Sequence, residues 1–240
     1  MLSCEDVWLS LPGSTDVLKG VSIQVKPSEI VGLIGPNGSG KTTLILTLAG
    51  LLVPRRGKVI LDGRDLQGQL PHARRRIGVV FQDPDDQLFN PSVIDELMFT
   101  LDQLGLTREE KESRVRDVAS KLNLSHLLER PVFSLSFGEK RRVALASTLV
   151  YNPDYILLDE PTANLDPQNV NSFLKILCRL KEEGKGILLA TQDVELARSL
   201  ADVIYIIYDG KIVWSGEVMI PDDILERAGL VTRPYSCAEK

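Results

Sequence analysis

The chain has 240 residues, of which 43% are hydrophobic and 25% charged, and its formal net charge is −5. This composition is typical of a folded protein with a full core, and the negative charge argues against a protein that coats nucleic acid. No apolar run approaches the length of a membrane-spanning helix, the N-terminus lacks a secretory leader, and the three cysteines are widely spaced, so we expect a cytoplasmic chain with free thiols.

The first 81 residues are predicted to be strand-rich around a single helix. Short apolar runs, some with a period of two, alternate with turn residues such as Pro12-Gly13-Ser14. The predicted strands cover residues 7–11, 21–25, 29–34, 59–63 and 77–81, and the predicted helix covers residues 43–52. We expect an antiparallel β entry to the fold.

The pattern changes to helical spacing after Pro84. Predicted helices cover residues 93–105, 109–124, 167–183 and 194–200, and residues 134–151 are predicted to form a Gly-containing turn followed by a further helix. Predicted strands cover residues 155–158 and 186–190, followed by a hairpin over 203–215 that turns at Asp209-Gly210. Because strand and helix alternate, we predict an α/β core with a parallel-rich sheet and a helical insertion. One short helix and a polar end follow Ile220.

One stretch, Gly35-Pro36-Asn37-Gly38-Ser39-Gly40-Lys41-Thr42, is a complete G-x-x-x-x-G-K-[ST] phosphate-binding loop between a predicted strand and a predicted helix. Its glycines allow backbone N–H groups to face a polyphosphate at a helix N-terminus. The residues predicted to bind a nucleotide are Asn37, Gly38, Ser39, Gly40, Lys41, Thr42 and Thr43. Lys41 is expected at the β and γ phosphates and the Thr42 hydroxyl on Mg²⁺. An ordinary Gly-rich turn is the weaker alternative.

Two carboxylates, Asp159 and Glu160, follow the most apolar predicted strand. A surface turn is the alternative, but ligands of α/β sheets bind where such strands end. We expect Asp159 to hold Mg²⁺ and Glu160 to polarise an attacking water.

Together with these motifs, residues 135–146 resemble the signature motif and helix of ABC ATPases, with Leu135, Ser136, Phe137, Gly138 and Glu139 as the signature. Residues 163–166 resemble the D-loop of that family, which includes Asp166, and Gln82 resembles its Q-loop glutamine. The resemblance implies a P-loop NTPase fold with a RecA-like core, ATP and Mg²⁺ as cofactors, and Gln82 as both a catalytic and a metal-contacting residue.

The signature region contains Phe137 and Lys140-Arg141-Arg142. This sequence, together with residues 81–89, looks like that of the ATPase subunits of energy-coupling factor transporters, which import vitamins and transition metal ions. This resemblance implies a subunit held peripherally on the cytoplasmic face of the cell membrane. It also implies a transmembrane coupling subunit, a substrate-binding membrane subunit and no nucleic acid partner. We expect one domain over residues 1–219 with a helical lobe at about 84–150 and a tail over 220–240. A groove around residues 85–99 is expected to accept a coupling helix.

The resemblance also implies a head-to-tail dimer that sandwiches ATP. Ser136 and the Gly138 N–H form a second anion site, which we expect to reach a phosphate held by Lys41 only from a second molecule. ATP then holds the dimer together, and its cleavage releases it.

Two positions depart from the family pattern. Gln192 stands where the family carries a switch histidine, and Leu11 stands where an adenine-stacking aromatic is expected; core packing is the expected role of nearby Trp8. Glutamine cannot titrate as imidazole does. We therefore hypothesise a slow site and a non-identical ATPase partner, with an active homodimer as the alternative. A soluble ABC ATPase and a low-activity nucleotide-dependent regulator are the competing functions.

Overall fold

The computed structural model describes residues 1–230 apart from 12 and 14. Its strands are β1 (Leu2–Ser10), β2 (Asp16–Val25), β3 (Ile30–Ile34), β4 (Arg56–Leu61), β5 (Arg64–Asp65), β6 (Ile77–Val80), β7 (Tyr155–Asp159), β8 (Gly186–Thr191), β9 (Val203–Tyr208) and β10 (Lys211–Gly216). Its helices are α1 (Lys41–Leu48), α2 (Val93–Asp102), α3 (Arg108–Lys121), α4 (Phe137–Leu149), α5 (Pro167–Glu182), α6 (Val194–Leu200) and α7 (Asp222–Arg227). The fold is α/β, as the sequence predicts.

The central sheet has six strands in the order β10-β9-β3-β8-β7-β6, and all neighbouring pairs except β10–β9 are parallel. Strands β3, β7 and β8 are buried along their whole length, because both faces of the sheet are covered. Ile34 pairs with Thr191, and Asp159 with Ala190, so the carboxyl ends of these three strands lie side by side.

A second sheet of four antiparallel strands, β2-β1-β4-β5, covers one face of the central sheet. Alternate residues of the central strands, among them Leu33, Leu157 and Leu188, pack in one cluster with β1, β2 and helix α1. Helix α1, which follows the 35–42 loop, therefore packs against strands of both sheets.

Helices α2 to α5 cover the opposite face. Ile156, Leu158 and Leu189 alternate with the previous set and pack against these helices. Near the end of the described chain, Ile220 and Leu225 are buried with Ala197 and Ile206, so α7 packs on the edge of the core.

Element boundaries differ from the sequence-based ones where capping residues decide. Helix α1 starts at Lys41, not residue 43, because Gly40 with φ 109° precedes it, and it ends at Leu48, before Gly50 at φ 70°. Helix α4 starts after the Ser136 cap, and β1 and β2 extend beyond residues 7–11 and 21–25. The hairpin turn at Asp209 and Gly210 is confirmed, since both residues have positive φ.

The cysteines Cys4 and Cys178 are free thiols, whereas Cys237 lies outside the described residues. Within residues 1–11, 13 and 15–230, we find no helix with both the length and the apolar character needed to span a membrane.

Candidate functional site

The loop between β3 and α1 is a tight turn with little space between its backbone and the neighbouring residues. Gly38 and Gly40 have φ angles of 77° and 109°, which only glycine adopts readily. A Cβ atom on Gly35 would lie 2.4 Å from the carbonyl oxygen of Ile207 and 2.5 Å from Ser39 Oγ. Gly35 is therefore required by space, whereas Gly38 and Gly40 are required by their backbone conformation.

Lys41, the first residue of α1, has its ammonium buried inside this loop. Lys41 Nζ donates to the carbonyl oxygens of Gly35 at 2.7 Å and Pro36 at 3.2 Å, and it lies 3.3 Å from Glu160 Oε1. The exposed fractions of the two charged side chains are 6% and 8%. A buried cation held mostly by neutral carbonyls can exchange these contacts for an anionic ligand.

Asp159 is the last residue of β7 and is almost fully buried. The Thr42 hydroxyl donates to its Oδ2 at 2.5 Å, whereas its Oδ1 has no hydrogen-bond partner among the described residues. Burial raises the pKa of Asp159, and the Thr42 hydrogen bond together with the charges of Lys41 and Arg141 acts against this. A buried carboxylate oxygen without a partner is a natural ligand for a cation.

Glu160 directly follows β7 in a left-handed conformation, with φ 44°. Its backbone N–H donates to the carbonyl oxygen of Ala190 at 2.9 Å, which holds this turn against β8. A non-glycine residue at positive φ is uncommon and is found mostly where surrounding structure fixes it. Here the turn brings the second carboxylate to Lys41.

One cavity of about 370 Å³ joins these elements. The sequence-predicted site residues that line it are Asn37, Gly38, Gly40, Lys41, Thr42, Thr43, Gln82, Asp159 and Glu160. Val17 of β2 also lines it, which the sequence analysis missed because a lone valine in an alternating strand carries no signal. Ser39 lies in the loop with a buried hydroxyl that has no partner in the described part of the chain. The volume, the Lys41 ammonium and the position of the glycine loop at the N-terminus of α1 suit a polyphosphate.

The donor set also fits a magnesium ion. Mg²⁺ takes oxygen ligands and is bound in proteins by one or two carboxylates together with substrate phosphates. Thr42 Oγ1 and the unpartnered Oδ1 of Asp159 meet that requirement, and Gln82 lies at the same cavity.

Three predicted parts of the site lie elsewhere. Gln192 is exposed just beyond β8 and is not among the cavity-lining residues. Asp166 caps α5, accepting from Asn169 N at 3.0 Å, and the hydrogen bonds from Asn169 lower the pKa of Asp166. Ser136 caps α4, with its backbone N–H donating to Glu139 Oε2 at 2.8 Å and its Oγ accepting from the Glu139 N–H at 3.3 Å. The hydrogen bonds from Ser136 lower the pKa of Glu139.

The predicted signature, Leu135 to Glu139, does not line the cavity. Ser136 is exposed, and a Cβ atom on Gly138 would lie 3.2 Å from the Asn169 side chain. The signature and the start of α5 therefore form a second surface, separate from the Lys41 cavity.

The residues near the predicted adenine position also differ from expectation. Leu11 is 38% exposed and does not line the cavity. The prediction that Trp8 packs in the core is wrong, because its side chain is only half-buried. The indole N–H of Trp8 donates to Asp6 Oδ1 at 2.9 Å, and the Arg56 guanidinium lies 6.0 Å from the centre of its ring.

A separate groove of about 330 Å³ lies where β6 meets α2 and α4, and it includes Phe81, Gln87, Phe89, Phe99 and Tyr151. Phe89 and Phe99 are 70% and 45% exposed and form an edge-to-face pair with centroids 5.2 Å apart. Two large aromatic side chains exposed together are unusual for a surface that stays in water.

The chain is similar to known proteins over nearly its whole length. The family model described as ABC transporter matches residues 18–163. The energy-coupling factor transporter ATP-binding protein EcfA of Methanocaldococcus jannaschii is 39% identical over 236 residues, covering 96% of this chain and 85% of that protein. The solved structure of cbiO1 from Clostridium perfringens, part of the ABC transporter complex cbiONQ, has a TM-score of 0.83 and 33% identity, covering 95% of this chain and 92% of its own. A dimeric ATP-binding cassette in a post-hydrolysis state with ADP and Pi has a TM-score of 0.80 and 27% identity, covering 91% of this chain and 99% of that chain.

Proposed function

This chain belongs to the ABC transporter family, and from that membership we propose that it binds and hydrolyses ATP to energise a membrane importer of the energy-coupling factor type. One observation carries the proposal: a single cavity joins the buried Lys41 ammonium, the Thr42 hydroxyl and the carboxylates of Asp159 and Glu160. These are the groups that hold a triphosphate with its cation and orient a water for attack.

The proposed roles follow from the contacts. The 35–42 loop donates backbone N–H groups to the phosphates, and Lys41 exchanges the Gly35 and Pro36 carbonyls for phosphate oxygens. Thr42 and Asp159 would hold Mg²⁺, which neutralises phosphate charge when bound. Glu160, freed from Lys41, accepts a proton from the attacking water, and Gln82 contacts the same region.

The signature acts from a second molecule in this proposal. Ser136 is exposed, Gly138 is half-buried, and neither lines the Lys41 cavity, so we expect them to meet a phosphate held by another subunit. The similarity to a cassette solved as a dimer with ADP and Pi supports the same arrangement. Asp166, beside the signature through Asn169, would lie at this interface.

We further propose a non-identical ATPase partner. Gln192 replaces the family's switch histidine, is exposed and does not line the Lys41 cavity, so a contact with the γ-phosphate would need a rearrangement or dimer formation. A glutamine can donate a hydrogen bond but cannot carry positive charge. A partner subunit with a histidine would supply a faster site.

The exposed Phe89 and Phe99 are the proposed contact for a transmembrane coupling subunit, which would hold the chain at the membrane as a peripheral subunit. The complex named for cbiO1 supports an assembly with further subunits. We propose one ATPase domain over residues 1–219, with a helical lobe at about 84–150 and with α7 packed on the edge of its core.

The deciding experiment measures ATP turnover of the purified chain alone, of the chain with a candidate partner, and of Gln192→His in both settings. We expect slow turnover alone, faster turnover with the partner, and a gain on Gln192→His. Full turnover by the isolated wild-type chain would reject the non-identical partner and favour an active homodimer. Binding without single-turnover cleavage would favour the nucleotide-dependent regulator. A chain that never sediments with native membranes would favour a soluble ABC ATPase.

A further inference from the structure

Arg141 is a charged side chain in a fully buried position of α4, two residues beyond the signature. Its exposed fraction is 0%. Nη1 donates to the carbonyl oxygen of Phe81 at 2.9 Å, and the guanidinium lies 5.1 Å from the centre of the Phe137 ring. Nε and Nη2 have no hydrogen-bond partner among the described residues. Burial lowers the pKa of Arg141, and the charges of Asp83 and Asp159 act against this.

Burying a charged side chain at this position of α4 costs free energy that packing of the helix alone does not require. A buried guanidinium with one hydrogen bond to a neutral carbonyl loses most of its hydration, and an apolar side chain of similar size usually replaces buried charge without loss of stability. The function of Arg141 must therefore lie in what it contacts. That contact is the backbone immediately before Gln82.

The segment from Phe81 to Gln87 is fixed to α4 at several points. The Phe81 N–H donates to Gln87 Oε1 at 3.2 Å, while the Phe81 carbonyl accepts from Arg141. Gln87 Nε2 in turn donates to the carbonyl oxygen of Ala144 at 2.9 Å. Both peptide groups that flank Phe81 are thus held, and Gln82 is the next residue.

An exposed ion pair adds to this connection. Lys140 Nζ lies 2.6 Å from Asp85 Oδ1, again joining the segment after β6 to the first turns of α4. The N-terminal end of the same helix carries Ser136 and Gly138. One rigid helix therefore contacts the Gln82 segment with one part and presents the signature with another.

We propose that Arg141 is a positioning residue that ties Gln82 to the signature of its own subunit, so that nucleotide contact at Gln82 shifts Ser136 and Gly138. The consequence rests on the proposed dimer. Since Gln82 serves the subunit's own ATP and the signature serves the partner's ATP, the tie makes the two sites of a dimer respond to each other. The two unpartnered nitrogens give Arg141 donors for a second position of the segment.

The test follows the signature directly in the full chain. An environment-sensitive fluorophore is attached through Phe133→Cys, an 83% exposed position two residues before Leu135, in a background with Cys178→Ser and Cys237→Ser. Fluorescence and nucleotide affinity are recorded as a non-hydrolysable ATP analogue with Mg²⁺, or ADP, is added. We expect a signal change with the ATP analogue that ADP does not reproduce.

Arg141→Met should remove this signal change while nucleotide affinity stays close to that of wild type, because the 35–42 loop is untouched. Arg141→Lys, which can still donate to the Phe81 carbonyl, should restore part of it. Arg116→Met on exposed α3 is the matched control and should respond as wild type. A full signal change in folded Arg141→Met would overturn the proposal, as would loss of nucleotide binding together with the signal.

If Arg141→Met does not fold, the ion pair provides a second route. Lys140→Asp and Asp85→Lys should each reduce the signal change, and the double variant, which restores the pair in reverse, should recover it. A wild-type signal change in Lys140→Asp and in Asp85→Lys would overturn the proposal, because neither variant keeps the ion pair. The fluorescence is recorded on the dilute chain without its partner, so that dimer formation does not contribute to the signal. Failure of a Glu160→Gln chain to dimerise in ATP, with its proposed partner, would instead reject the trans assembly.

Discussion

Lys41 is the side chain on which nucleotide affinity should depend most. Lys41 belongs to the 35–42 motif and lines the cavity with its ammonium group. A hydrogen bond to a charged group contributes about 1.5–3 kcal/mol to binding. Lys41→Ala should therefore weaken ATP binding by about 10- to 100-fold. Isothermal titration calorimetry measures this, with Lys175→Ala on the exposed face of α5 as the control. An unchanged dissociation constant for Lys41→Ala would remove the basis for the site.

A second residue-scale prediction concerns stability. Burial raises the pKa of Asp159, so the native state keeps this proton at pH values where the unfolded chain has released it. The contribution of Asp159 to stability is therefore greatest at low pH and is lost as pH rises through the raised pKa. Near neutral pH the buried carboxylate lowers the free energy of unfolding.

Asp159→Asn should consequently stabilise the nucleotide-free protein near neutral pH, and this gain should shrink in mild acid, while ATP turnover is lost. Urea unfolding at the two pH values checks the prediction. Asp166→Asn is the control of opposite sign, because hydrogen bonds lower the pKa of Asp166 and its cap stabilises α5. A less stable Asp159→Asn protein at neutral pH would contradict the argument.

At the scale of elements, two helices begin with the same device but differ in proposed function. Ser136 with Glu139 forms a capping box on α4, and Thr107 with Glu110 forms one on α3. Replacing either capping residue by alanine should lower the free energy of unfolding by about 0.5–2 kcal/mol. Only Ser136→Ala should also reduce ATP turnover of the assembled dimer, since Thr107 lies far along the chain from the signature. Equal turnover in both variants would show that Ser136 only caps the helix.

The elements that the sequence predicted well are those with a strong local signal. The 35–42 motif and the apolar strands β3, β7 and β8 were recognisable because glycine spacing and full burial leave clear patterns. Boundaries were less accurate, as for α1, where Gly40 and Gly50 set the limits. Caps and turns act over few residues and compete with longer patterns.

The surroundings of the site were harder to predict, for tertiary reasons. Burial of Arg141 depends on β6 and α4 meeting across a long sequence separation, and an arginine beside Lys140 and Arg142 resembles a solvated basic run. The left-handed turn at Glu160 depends on its hydrogen bond to Ala190 of a neighbouring strand. Neither feature has a local signature in the sequence.

At the scale of the whole molecule, the central sheet separates the surfaces of two proposed functions. Its carboxyl edge holds the Lys41 cavity, while the helices on one face carry the signature and the aromatic groove. Because α4 takes part in the signature and also lines the groove through Ser147 and Thr148, a displacement of α4 reaches both surfaces. The proposed nucleotide binding and the proposed membrane contact would thereby be connected through one helix.

This arrangement predicts that the groove can be disabled without affecting nucleotide binding. Phe89→Ser should strongly reduce sedimentation with native membranes, since an aromatic anchor at an interface contributes about 2 kcal/mol or more, or roughly 30-fold in affinity. ATP affinity of the purified variant should equal that of wild type, because Phe89 does not line the Lys41 cavity. Val213→Ser, on β10 and as exposed as Phe99, is the matched control and should sediment normally. If both variants remain with the membranes, the partner contacts another face, and the aromatic pair requires a different explanation.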